Sequence, residues 1–148
     1  MPAEGNDLLP PEEINNAVSH YLSCQPDIAA AYIFGSLARG RFRAGSDVDI
    51  AILYNRGDVD KLARFERRLD LEIALEEIIH RPVQVIDLEQ AGLPLQYQVR
   101  KYGKVIVEKD RKLRVNFEVN TRRLYFDMQQ FYRLRNTSVL ERIGEERG

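Results

Sequence analysis

The chain has 148 residues, 44% of them hydrophobic and 30% charged, with a net charge of −1. That size permits a core burying about 68–70% of the unfolded surface, and the composition excludes the apolar depletion of disordered chains. A single cysteine, Cys24, excludes an intramolecular disulfide and fits a reducing compartment.

Cys24 sits beside Leu22 in a helical pattern and reads as core rather than nucleophile. The opening MPAEGNDLLPPEE has neither the basic nor the apolar region of a secretory signal. The uncharged stretch Ile28 to Ala38 is 11 residues, against about 20 for a membrane helix. A soluble cytoplasmic protein is expected, folded as one domain over residues 1–148. Charge is unevenly spread: residues 1–110 hold 13 Lys and Arg against 18 Asp and Glu, whereas residues 111–148 hold 9 against 5. The basic end suits either a solvated helix face or an acidic partner.

In chain order, residues 1–9 lack periodicity and read as a loose arm. Pro10, Pro11, Glu12 and Glu13 mark a helix start, and Ile14, Val18, Tyr21 and Leu22 give it one apolar stripe up to Pro26. Ala29 to Phe34 is a buried strand ending in the turn Gly35-Ser36, followed by an Arg- and Gly-rich loop or short helix. Val48, Ile50 and Ile52 then alternate as a strand, which turns Asp47 and Asp49 to the same face.

A long helix is predicted over residues 61–79, packing on a sheet through Leu62, Phe65, Leu69 and Ile73 and widening to Leu75, Ile78 and Ile79. Val83 to Leu88 is a third strand, a short helix follows near residues 95–102, and Val105 to Glu108 is a fourth strand. Residues 111–143 are helical, with Phe117, Leu124, Met128 and Phe131 as one stripe and Asn136-Thr137-Ser138 as an interruption. The fold class is therefore α/β (α+β), a small mixed sheet of about four strands backed by helices.

Two aspartates two residues apart on a strand lie about 6.6–6.8 Å apart along it, close enough to converge on hard cations. Mg²⁺ takes one or two protein carboxylates and completes its octahedron with waters and phosphate oxygens. Gly35 lets a ligand approach the backbone and Ser36 adds a donor. Arg39, Arg41 and Arg43 lie between the two halves, where they can neutralise phosphate or simply face solvent.

Gly35-Ser36, ten residues, then Asp47-Val48-Asp49, with Ala38-Arg39-Gly40 and Ser46 between, resembles the signature of the DNA polymerase β-type nucleotidyltransferases. The resemblance is greatest to their minimal nucleotidyltransferase (MNT) branch, the antitoxins of HEPN/MNT toxin-antitoxin pairs, and it covers most of the chain. It implies a nucleotidyltransferase fold with a C-terminal helix, ATP as substrate and Mg²⁺ as cofactor. It implies that Gly35, Ser36 and Arg39 hold the nucleotide and that Asp47 and Asp49 bind metal and, with Ser36, serve catalysis. The implied reaction is transfer of AMP to a tyrosine of a HEPN-family ribonuclease partner.

One position departs from that pattern. The family's third carboxylate opens the next strand, where this chain has Gln84, and an amide is no base at neutral pH. Asp87 is acidic but alternates to the other face. Gln84 therefore favours a second reading, a nucleotidyltransferase fold that neutralises its partner by docking. A small-molecule nucleotidyltransferase is a third, for which 148 residues leave little room. Arg135-Asn136 has no following histidine, against a HEPN ribonuclease. His20 and His80 lack metal-ligand spacing, and the slightly negative charge without a long basic run argues against direct nucleic-acid binding. Tyr125, Phe126, Phe131 and Tyr132 exceed what one buried stripe needs, so some should be exposed.

Overall fold

The computed structural model describes residues 9–43, 45–57 and 59–147. The elements run α1 (Pro11–Ser23), β1 (Ile28–Phe34), α2 (Gly35–Ala38), β2 (Val48–Tyr54), α3 (Lys61–Ile79), β3 (Val83–Asp87), α4 (Leu93–Tyr102), β4 (Lys104–Glu108) and α5 (Arg111–Arg147). The four strands form one mixed sheet in the order β3-β2-β1-β4. β1 pairs antiparallel with β2 and β4, and β2 pairs parallel with β3 across the α3 crossover. The expected arm falls outside the described residues except Leu9, which packs against the core.

Alternation along the inner strands divides the interior between the two sheet faces. Ala31, Ile33, Ile50, Ile52 and Val85 face α1 and α3, whereas Ala30, Tyr32, Ala51 and Leu53 face α4 and the start of α5. The edges are closed by side chains. Glu76 and Glu72 accept from the backbone N–H groups of Val83 and Val85 at 3.0 and 2.8 Å, and Ser19 donates to the Ile106 carbonyl at 2.8 Å. These bonds leave less of β3 and β4 open to another chain.

Three expectations fail. First, of the apolar stripe expected on α3 only Leu75 and Ile79 face the sheet, joined there by Leu71, while Leu62, Phe65, Leu69, Ile73 and Ile78 point outward, Leu62 being 67% exposed. The buried face carries Arg64, whose Nε and Nη2 donate to the two oxygens of Asp87 at 2.6 and 2.8 Å. That pair, with Glu72 and Glu76 on the β3 edge, sets the rotation of the helix. Asp60 caps it, accepting from Ala63 N–H at 2.8 Å, and His80 ends it in the left-handed region at φ 58°.

Second, α5 is not interrupted at Asn136-Thr137-Ser138. Thr137 Oγ1 donates to the Arg133 carbonyl at 2.9 Å, satisfying its hydroxyl inside the helix. Its 37 residues extend roughly 55 Å, so the far half outruns the sheet. Leu124 and Phe131 are exposed for that reason, and so are Phe126 and Tyr132. Third, Cys24 is exposed, because it caps α1 one turn position beyond Leu22, the last side chain of the buried stripe.

The orientation of α3 is open to direct test. Leu75→Ala should lower the unfolding free energy by about 2–5 kcal/mol, and Leu62→Ser should change it by no more than about 0.5 kcal/mol, as read from urea melts. The reverse ranking would mean that the outward stripe is the packed one.

Candidate active site

The site forms where β1 stops against β2. Phe34 is paired with Asp49, and Gly35 follows at φ 71°. A Cβ on Gly35 would overlap Oδ2 of Asp49, so the close approach of turn and carboxylate needs a glycine. Ser36 is half-buried in the turn that opens α2. Arg39 N–H closes on the Gly35 carbonyl at 3.1 Å and Arg41 N–H on the Ser36 carbonyl at 2.8 Å.

The return loop is tied to the same corner. Arg43 N–H donates to Ser46 Oγ at 3.0 Å, Arg81 Nη2 donates to the Arg43 carbonyl at 2.8 Å, and Val48 N–H donates to the Pro82 carbonyl at 2.9 Å. The Arg81 guanidinium lies 4.2 Å from the Phe42 ring centre, and Phe42 packs on the core. These contacts deliver the chain into β2 with Asp47 exposed just before the strand and Asp49 half-buried on its second residue. Burial, and secondarily the charge of Asp47, hold the Asp49 carboxyl above the ordinary aspartate range.

Asp49 also pairs with Gln84 across the parallel β2–β3 ladder, so the amide stands beside it on the same face. Asp87 does not join them. It pairs with Ile52, faces the α3 side, and is taken up by Arg64 in a buried bidentate ion pair. Among the described residues no three His, Cys, Asp or Glu cluster as a metal site. The donors available are two carboxylates and an amide oxygen, a set able to hold a hard divalent cation whose remaining ligands come from water and phosphate.

Arg39 reaches a neighbour the sequence did not reveal. Its guanidinium lies 4.4 Å from the ring centre of Tyr102, at the end of α4, and Lys101 Nζ lies 5.2 Å from the same ring. Ala38, Arg39, Arg41, Lys101 and Tyr102 line an open cleft of about 580 Å³ beside the turn. Arg-Lys-Tyr before Gly103 was visible as residues, but no local pattern places α4 against α2. A separate cavity of about 480 Å³ at Pro26, Tyr54 and Arg67 lies at the other end of β2, five residues from Asp49, or about 16 Å. Of its lining charges, Arg64 and Arg67 are spent on Asp87 and Asp27 while Arg56 forms no ion pair among the described residues, and its one lining carboxylate is the paired Asp27, so the candidate site remains Gly35 and the aspartates.

A glycine turn pressed against Asp49, with Asp47 just before the same strand, is an arrangement able to bring a phosphate and a hard cation together. The sequence model of the Polymerase beta, Nucleotidyltransferase family matches residues 16–112, and the chain belongs to that family. Protein adenylyltransferase MntA of Shewanella oneidensis is 33% identical over 106 residues, 70% of each chain. A solved toxin-antitoxin structure with AMP-PNP superposes at a TM-score of 0.67 with 26% identity, over 89% of this chain and 99% of that one. A tri-AMPylated Shewanella oneidensis HEPN toxin in complex with MNT antitoxin gives 0.66 at 24% identity, over 88% and 99%, and shows the shared fold. Among the described residues no helix is long and apolar enough to cross a membrane.

Gly35 and Gly40 provide a matched pair, with φ of 71° and 72°, yet nothing lies within 4 Å of a Cβ at Gly40. Alanine at either position carries the left-handed penalty of about 1–2 kcal/mol. Gly35→Ala should cost about 1–3 kcal/mol more through overpacking against Asp49. Equal melting temperatures for the two variants would contradict that contact.

Proposed function

We propose that this chain is an antitoxin nucleotidyltransferase that moves AMP from ATP to a tyrosine hydroxyl of a HEPN ribonuclease, in the cytoplasm and with Mg²⁺. The observation that carries the proposal is the Gly35–Asp49 approach, with Asp47 just before the strand and near enough to act on the Asp49 carboxyl. The similarity to a named protein adenylyltransferase and to a toxin-antitoxin structure with AMP-PNP supports it.

In this reading Gly35 and Ser36 receive the triphosphate, whose approach a side chain at Gly35 would block. Arg39, steadied by Tyr102, offsets phosphate charge. Asp47 and Asp49 hold Mg²⁺, which when bound lowers the charge on the phosphates and aligns the reacting oxygens. Ionised, the Asp49 carboxylate is destabilised by burial and by Asp47, and a cation relieves both. The tyrosine oxygen bonds to the α-phosphorus, the bond from that phosphorus to the bridging oxygen breaks, and pyrophosphate leaves. Gln84 cannot take the phenolic proton, so the proton passes to water on the open side, where Asp47 and Gln84 are exposed.

Gln84 beside Asp49 also favours the second reading, a docking module with little turnover. Incubation with a cognate HEPN ribonuclease, labelled ATP and Mg²⁺ separates the two. The enzyme reading predicts label on the HEPN protein, reduced at least about a hundredfold by Asp47→Asn, the counterpart of several kcal/mol of lost charge stabilisation. Gln84→Asp should raise the rate about tenfold or more, since a positioned base supplies about 10²–10⁴. A stable complex without label would support the docking module. An unchanged rate in Gln84→Asp would remove Gln84 from the third-acid position.

A further inference from the structure

From the catalytic turn, aromatic and cationic side chains run in contact along α4 to α5. Arg39 lies against Tyr102, Lys101 Nζ lies 5.2 Å from Tyr102 and 5.5 Å from Tyr97, and the Arg100 guanidinium lies 5.3 Å from Tyr97. Tyr97 stacks on Tyr125 of α5, with ring centres 4.1 Å apart and planes at 10°. Beyond that stack, Arg100, Val119, Arg122, Arg123 and Phe126 border a cleft of about 480 Å³. Tyr97 and Tyr102 are five residues apart on α4, so the stack lies about 7.5 Å along the helix axis from the catalytic end.

The charge of this strip is one-sided. Residues 92–104 contain Arg100, Lys101 and Lys104 and no acid, and residues 119–126 contain Arg122 and Arg123 and no acid. Of the acids flanking that part of α5, Glu118 is spent on Arg114 at 2.9 Å and on the Tyr32 hydroxyl at 2.8 Å; Asp127 lies at its far edge. The apolar members are open to solvent, Val119 at 62% and Phe126 at 58%. Exposed aromatics ringed by arginine are the composition of interface cores.

We infer that the α4–α5 cleft docks the acceptor protein, gripping a surface that carries carboxylates around an apolar side chain and presenting its hydroxyl to the Gly35-Ser36 turn. The inference rests on the AMP-transfer reading and assigns its acceptor side. Two features favour it: the uncompensated positive charge of the cleft, and its unbroken contact with the catalytic residues. A protein occupant fits better than RNA because the far half of α5 continues the surface with Leu124, Phe131 and Tyr132, exposed apolar area that a polyanion would leave uncovered.

The test uses Arg122→Glu combined with Phe126→Ala in the full chain, with a cognate HEPN ribonuclease as acceptor. Both positions are exposed on α5, and an unchanged melting temperature verifies folding. KM for the acceptor should rise at least tenfold while KM for ATP stays within twofold, and acceptor binding measured without ATP should weaken equally. Binding to the unaltered chain should fall as salt rises. An unchanged acceptor KM, or an equal rise in KM for ATP, would overturn the assignment. So would a single-stranded RNA 12-mer that binds the unaltered chain and loses affinity in the variant while HEPN binding persists. Absence of transfer by the unaltered chain counts against the proposed reaction, whereas ATP-free binding reads the cleft by itself.

Discussion

The approach of Gly35 to Asp49 is the constraint on which the rest of the architecture turns. β1 must end at Phe34, opposite Asp49, so that the turn passes over the carboxylate, and the turn must lack a side chain. The antiparallel β1–β2 register sets that meeting point, and the register follows from two apolar runs that bury both faces. A one-residue slip would send Asp49 into the core cluster that now holds Ile50. Site and core are thus fixed by the same alternation.

The sheet separates two uses of acid. Toward α3, Asp87 neutralises a buried arginine, and its hydrogen bonds hold the Arg64 guanidinium above its ordinary range. Such a pair is weak evidence of net stability, but breaking it leaves a buried charge uncompensated. Toward α4, Asp47 and Asp49 keep their charges partly open, without an arginine partner among the described ion pairs. A carboxylate left half-buried beside another is costly for folding and useful for a cation. The contrast between Asp87 and Asp49, separated by one strand and one face, follows from strand parity.

Element identity was legible because the signals were strong: the alternation of Val48, Ile50 and Ile52, the prolines Pro10, Pro11 and Pro26, and the turn at Gly35-Ser36 mark the boundaries around the site. Gln84 was legible through the resemblance, as the occupant of the third-acid position, and the β2–β3 register pairs it with Asp49. Which side of a helix faces inward was not. On α3 the apolar line through Leu62, Phe65, Leu69 and Ile73 competes with the line through Leu71, Leu75 and Ile79, and the second is buried because it carries Arg64 to Asp87. No periodicity marks an arginine as the anchor of a core face. The burial of α5 was misread for a different reason: helical spacing says nothing of where the sheet beneath ends. The Arg39–Tyr102 contact joins segments some sixty residues apart and left no local trace.

Which phosphorus of ATP reaches the acceptor distinguishes nucleotidyl transfer from every other outcome. Parallel reactions of the unaltered chain with a cognate HEPN ribonuclease, one with ATP labelled at the α-phosphate and one at the γ-phosphate, decide it. Nucleotidyl transfer predicts that the α label remains on a tyrosine of the acceptor while the γ label is recovered in pyrophosphate. Retention of the γ label on the protein, or of neither label, would contradict it.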